Sequence, residues 1–288
     1  MKKKTYLFAL MAMALTLGSC SDNENGIGGE TSKYITVSTS IGNMTRVATD
    51  EKGGQTFEEG DEISVYAWTG DATVAPETRE RVVNNAINKL TNGSWISTPQ
   101  MLWKNNRDKH YFIGVYPTAV ISDLSAGEYT FDVNKQTESD LLVAVNKDGL
   151  SYNVDEQQPV PLTFTHVMAK LVVNLTYKNQ WGGIPTVEKV VVGNAAKEAT
   201  INYLTKVVTP STTAKEDFSL PEITENTKYV SVIIPQEEVT QLTIVIGGKN
   251  FVYDNGTPFK LESGKITTVN LEVGRDEIKL GDVKITDW

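Results

Sequence analysis

The densest chemistry in this sequence is acidic. Phe57-Glu58-Glu59-Gly60-Asp61-Glu62 sets four carboxylates almost side by side, a pattern that invites comparison with a calcium site or with the carboxylate pair of a glycosidase. A calcium loop spaces its Asp and Asn ligands along about twelve residues, and that spacing is missing here. A glycosidase pair is set in three dimensions, so adjacency in sequence says nothing about it. Glu-Gly-Asp is also turn chemistry, and the run reads as an acidic turn entering a strand at Ile63. The two histidines add little. His110 follows Asp108-Lys109, and His166 lies in the apolar stretch Phe164-Thr165-His166-Val167-Met168. No partner for a triad or a metal is indicated near either, so both read as hydrogen-bonded structural imidazoles. A single Cys and two His exclude a disulfide framework and any site built from several thiolates or imidazoles. No nucleophile elbow, phosphate loop, dinucleotide fingerprint or His-Glu-x-x-His motif occurs. These absences point to a non-enzymatic protein with no catalytic residue, cofactor or metal. Trp68, Trp95, Trp103, Trp181 and Trp288 could stack on sugars, but most are expected in a core or at its edge.

The lone thiol has a different use. Met1-Lys2-Lys3-Lys4 is a cationic start, and Thr5 to Leu17 is an apolar stretch that suits a signal peptide and is too short to span a bilayer. Leu17-Gly18-Ser19-Cys20 then resembles the lipobox of bacterial lipoproteins, in which the Cys becomes the lipidated first residue. Acyl chains contribute roughly 0.8 kcal/mol per buried methylene, so stable anchorage takes more than one. On this reading residues 1–19 are a signal peptide, Cys20 is the lipidation site, and residues 20–32 are a flexible tether rich in Gly and polar side chains. Ser21-Asp22-Asn23-Glu24 also resembles the acidic export signal of Bacteroidetes surface lipoproteins, with a plain solvated linker as the other reading. The chain carries a net charge of −9, and it is more acidic still once Lys2, Lys3 and Lys4 are set aside. Such a body repels phosphate backbones, so nucleic acid is not an expected partner.

The remainder must be built mostly from strands. The chain is 288 residues long and 40% hydrophobic, enough to bury a substantial core. Ile35, Val37, Thr39 and Ile41 alternate with polar neighbours, as do Ile63, Val65 and Ala67, and period two is the strand signature. Similar runs span 111–116, 128–133, 141–145, 162–177, 187–192, 200–208, 229–234 and 265–273. Gly247-Gly248 between two apolar runs predicts a tight hairpin. One stretch departs from this pattern: Pro76 to Leu90 places Val82, Ala86, Ile87 and Leu90 at helical spacing and predicts a short helix. Asp155 to Pro161 is polar with two prolines, and predicts a boundary between a domain at 33–158 and another at 159–288. Regular short strands with turns between them argue for β-sandwiches.

Several pieces together resemble the fimbrillin-like proteins of Bacteroidetes, subunits of type V pili. They are Thr45-Arg46 after the first strand, Phe57-x-x-Gly60-Asp61-x-Ile63-x-Val65-Tyr66, Val115-Tyr116-Pro117, Phe164-x-His166-x-Met168-Ala169-Lys170-Leu171, and the final Ile285-Thr286-Asp287-Trp288. The resemblance implies an all-β fold of two tandem transthyretin-like β-sandwich domains. It also implies a surface subunit, reaching the outer membrane through its lipid anchor, that partners other pilus subunits and a host protein or glycan receptor. In that family a trypsin-like protease cuts after an Arg beyond the first strand. The matching bond here joins Arg46 to Val47, and an ordinary solvated Arg is the competing reading. Removing the first strand would open an apolar groove that another subunit's extended segment fills. Val283, Ile285 and Trp288 are the candidate donor side chains. The alternative is a surface lipoprotein that binds glycans or host ligands without polymerising.

Overall fold

Alternating side chains and turn residues produce strands almost throughout the computed structural model, which describes residues 33–42, 56–153 and 158–288. The first half contains β1 (Val37–Ile41), β2 (Glu62–Thr69), β3 (Arg81–Thr91), β4 (Ser94–Thr98), β5 (His110–Tyr116), β6 (Gly127–Thr130) and β7 (Leu142–Leu150). It also carries one helical turn, α1 (Gln136–Ser139). Then come β8 (Val160–His166), β9 (Ala169–Tyr177), β10 (Val187–Ala196), β11 (Glu198–Asn202), β12 (Val207–Pro210) and β13 (Lys215–Ser219). The chain continues through β14 (Glu222–Thr224), β15 (Lys228–Ile233), β16 (Gln236–Ile246), β17 (Lys249–Leu261), β18 (Lys265–Val273) and β19 (Ile278–Asp287). The expected all-β class is the observed one.

Four sheets result. Seven strands in the order β1-β8-β7-β5-β2-β3-β4 form the largest, and β14-β15-β9-β18-β19 form a second of five. Smaller than both are the four-stranded β13-β10-β16-β17 and the short three-stranded β12-β11-β6. Pairing is antiparallel except at β1 with β8 and β9 with β18. The largest sheet takes β8 from beyond residue 158, so the predicted boundary falls between β8 and the strands it pairs with, β7 and β1.

The seven-stranded sheet rolls until its two edges meet. Trp95 on β4 donates its indole N–H to Thr39 Oγ1 on β1 at 3.0 Å. Upstream, Ile35 N–H donates to the Met101 carbonyl at 2.9 Å and Trp103 N–H to the Lys33 carbonyl at 3.1 Å. Inside this roll lie Ile35, Val65, Phe112, Leu162 and Phe164, part of one buried cluster.

The helix predicted over Pro76–Leu90 does not form; a 3₁₀ turn at Thr78–Glu80 leads into β3. Val65 pairs with Ala86 and Ala67 with Val83, so two steps on β2 face three on β3. Asn85 lies inside that interval with φ of 56°. The extra residue of this bulge moves the buried positions from a spacing of two to a spacing of three, and a spacing of three looks helical. The run at 162–177 is likewise two strands, β8 and β9, broken at Val167–Met168. The hairpin at Gly247-Gly248 forms as predicted, with φ of 58° and 75°, values open to glycine at little cost.

Candidate functional site

The acidic run is a turn, as its composition predicted. Glu58 N–H donates to Asp61 Oδ2 at 2.7 Å, and Asp61 N–H returns to the Glu58 carbonyl at 3.0 Å. Glu59 accepts from Asn92 N–H, and Glu62 pairs with Lys89 at 2.9 Å. The carboxylates of Glu59, Asp61 and Glu62 therefore serve separate local contacts, while Glu58 contributes its backbone to the turn. Among the described residues no group of three His, Cys, Asp or Glu side chains is placed to hold a metal.

His110 is fully buried against the edge of Trp103, with ring centroids 5.0 Å apart. Its Nε2 accepts from Lys104 N–H at 3.0 Å, and its Nδ1 lies 3.1 Å from the Asp108 carbonyl, to which it donates. Burial pushes its pKa below the usual imidazole value, and the hydrogen bond to Asp108 opposes that shift in part. This is a structural imidazole held neutral.

The two strands named in the expected strand exchange lie at the two ends of the described chain. The first is the strand around β1, which turns Ile35 (1% exposed) and Val37 (6%) inward, while Thr36, Ser38 and Ser40 face out. Burying two such side chains contributes about 1.5–3 kcal/mol each. On one side β1 pairs in parallel with β8, Val37 opposite Val160 and Ile41 opposite Phe164. On the other, among the described residues, it is bound through Trp95 and the Met101–Trp103 segment. A groove of about 820 Å³ runs along that weaker side, lined by Thr39, Ile41, Phe57, Leu90 and Trp95 among others. Phe57 stands at its end, packed edge-on against Trp95, Tyr116 and Phe164 at 5.1–5.4 Å.

The second feature is β19, an edge strand paired with β18 alone. Val283 and Ile285 lie opposite the fully buried Val269 and Thr267, yet they remain 38% and 41% exposed. Polar pairs fasten the strand's rim: Asn270 to Asp282 at 2.6 Å, and the ion pair of Lys265 with Asp287. Pairs of this exposed kind contribute about 0–1 kcal/mol. Trp288 is the exception at 6% exposed. Its indole stacks on the His166 ring at 4.1 Å with 8° between planes, and Lys170 Nζ lies 5.2 Å from its centroid. His166 is oriented by its Nδ1, which donates to Asp140 Oδ1 at 2.8 Å.

Of the site residues expected from sequence, Val283 and Ile285 are therefore exposed on β19, and Trp288, the residue after that strand, is seated. Cys20, Arg46 and Val47 lie outside the described residues, as do the predicted signal peptide and tether. Sequence reasoning missed the seat formed by Asp140, His166 and Lys170. It had singled out both the segment around His166 and the segment ending at Trp288, but nothing in either says that they touch.

Known proteins agree with this architecture. A protein of Bacteroides uniformis described as a fimbrium subunit, Fim1C, is 26% identical, the alignment spanning 100% of this chain and 96% of its own length. Among solved structures, a cell adhesion protein of Bacteroides ovatus superposes with a TM-score of 0.65 at 18% identity, covering 89% of this chain and 98% of its own. A second cell adhesion protein, from Bacteroides uniformis, gives 0.64 at 20% identity over 88% and 98%. The profile of the fimbrillin-like family matches residues 45–288, and the chain belongs to that family.

Proposed function

We propose that this chain is a non-enzymatic subunit of a cell-surface fimbria, exported as a lipoprotein through Cys20 and assembled by strand exchange after a cut between Arg46 and Val47. The family is structural rather than catalytic, which supports the first part. The observation that carries the second is the seating of β1. It is an edge strand with apolar side chains turned into the core, and it precedes Arg46 in the chain. Cutting after Arg46 leaves it held by non-covalent contacts alone. Its departure exposes the free edge of β8 and the apolar interior of the roll, a template for an incoming strand. The exposed Val283 and Ile285 of β19 are suited to fill it. Because each copy offers a groove and a strand at different places, contacts run head to tail and build a filament. The two sandwich domains are part of the same proposal, with β8 assigned to the first because it pairs there.

The alternative, glycan capture on exposed tryptophans, finds no support: Trp68 and Trp288 are buried, and Trp95, Trp103 and Trp181 are partly buried. The test is the first residue of protein recovered from the cell surface. Val47 is expected in assembled fimbriae and lipid-modified Cys20 in the precursor. Fimbriae whose subunits all begin at Cys20 would overturn the cleavage step.

A further inference from the structure

The connection from β2 to β3 is a series of turns whose shape is fixed by side chains. Trp68, near the end of β2, donates its indole N–H to the Asp71 carbonyl at 2.9 Å. Thr73 donates from its N–H and its Oγ1 to Asp71 Oδ1, both at 2.7 Å, and Glu77 N–H donates to Glu80 Oε2 at 2.9 Å. Arg81, 9% exposed, ties the start of β3 to the loop after β5: its Nη1 donates to the Ile121 carbonyl at 2.7 Å and its Nη2 to that of Ser122 at 2.6 Å. The segment 101–103 is fastened separately, through its backbone bonds to residues 33–35. Loops held this firmly lose little freedom when they bind a ligand, which suits them to recognition.

Between these turns and Trp103 lies a cavity of about 810 Å³, within the range of small-molecule sites. Val74 and Leu102 on its lining are 59% and 49% exposed, apolar surface left uncovered. Three cationic side chains, Arg79, Arg81 and Lys104, line it against two carboxylates, Asp71 and Glu80. That is a local excess of positive charge on a chain that carries −9. Both carboxylates already accept from donors of their own turns, whereas the cations have donors to spare. An ammonium carries three donors and a guanidinium five. Lys104 Nζ spends one on Thr69 Oγ1 at 3.2 Å, and Arg79 Nε meets Glu77 at 2.9 Å in a pair whose side chains are 78% and 66% exposed. An ion pair so exposed is worth little and yields to a better acceptor.

We propose that this cavity binds an acidic saccharide, its carboxylate held by Arg79 and Lys104 and the apolar face of its ring laid on Val74 and Leu102. A sugar ring is apolar across its C–H faces and polar at its hydroxyl edges, and the lining offers both characters side by side. Charge-assisted hydrogen bonds to the carboxylate supply the selectivity, so recognition here needs no exposed tryptophan. An extended peptide fits less well, because it binds by adding to an open strand edge. The walls are turns at 71–80 and the segment 101–103, whose backbone is already bonded to residues 33–35. The site goes beyond the assembly reading and does not rest on it, since the uncut chain carries every group involved.

Calorimetry on the uncut chain from Ser21 onward tests it, with trigalacturonate and 3′-sialyllactose as probes. Their neutral counterparts, the methyl ester of trigalacturonate and lactose, test the charge, and a pentaglutamate peptide tests the class of ligand. At least one acidic sugar is expected to bind with a Kd of about 1 mM or tighter, and its neutral counterpart about tenfold more weakly. Arg79→Gln and Lys104→Met should each weaken binding about tenfold, whereas Lys189→Met, which removes an equal charge elsewhere, should leave it unchanged. All three side chains are exposed, so melting temperatures should stay close to that of the parent. No heat with either acidic sugar would overturn the site. Equal affinity for an acidic sugar and its neutral counterpart would overturn the role of the cations, and an equal loss in Lys189→Met would reduce that role to non-specific attraction. Pentaglutamate binding as tightly as the better sugar would overturn the assignment to saccharides. None of these outcomes bears on strand exchange.

Discussion

His110 shows how one side chain ties this fold to pH. Its Nε2 accepts from Lys104 N–H, a contact that protonation would turn into donor against donor. Its pKa in the folded chain lies below the ordinary value, burial being the main cause. An exposed imidazole titrates near 6.5. Above that pH neither state is protonated and His110 has no effect on stability. As pH falls below about 6.5 the unfolded chain binds its proton first, so stability drops until the folded-state pKa is passed. The melting temperature should therefore decline between pH 7 and pH 5, and His110→Gln should show a shallower decline whatever its melting temperature at pH 7. Parallel declines in the two proteins would show that His110 is not the group responsible. His166, the other histidine, stays unchanged in both, so the difference in slope belongs to His110.

At the level of elements, the last strand differs from the strand it pairs with. β18 is flanked by β9 and β19, whereas β19 has one neighbour and exposes every residue from Gly281 to Asp287. Amides of residues 281–287 should exchange with solvent at least about tenfold faster than those of β18, since locally opening units are those with few buried contacts. Equal protection across the two strands would mean that β19 cannot leave without unfolding its sheet, and strand donation would then require a wider rearrangement. This asymmetry was partly legible beforehand. Val283 and Ile285 were expected there only through the family resemblance, the strand itself was not read from the pattern, and the structure shows the stripe half uncovered. Period two identified most other strands, and Gly247-Gly248 identified a hairpin because its φ values are a local matter. The failures have local causes too. The bulge at Asn85 gave β3 a helical spacing, and the break at Val167–Met168 is apolar and carries no turn residue. Long-range pairings were not legible at all. Nothing in Val37 to Ile41 announces a parallel partner at Val160 to Phe164, and nothing in Trp288 announces His166, because both contacts depend on how the whole sheet rolls.

For the molecule as a whole, charge opposes the assembly that shape favours. The full chain carries −9, and a cut after Arg46 removes Lys2, Lys3, Lys4, Lys33 and Arg46 against Asp22, Glu24 and Glu30, so the processed subunit is more acidic still. Two such bodies repel as they approach. The contacts proposed to join them are apolar side chains and backbone hydrogen bonds, which salt screens little, whereas the repulsion acts across solvent and decays over about 30 Å at 0.01 M salt and 10 Å at 0.1 M. Assembly of the cut chain should accordingly start several-fold faster at 0.15 M than at 0.01 M sodium chloride, and further salt should change it little. Light scattering after trypsin addition reads this directly. A rate that falls with added salt would mean that opposite charges on the two faces steer the encounter. In that case the patches doing the steering, not the strand and its groove alone, would set which subunits meet.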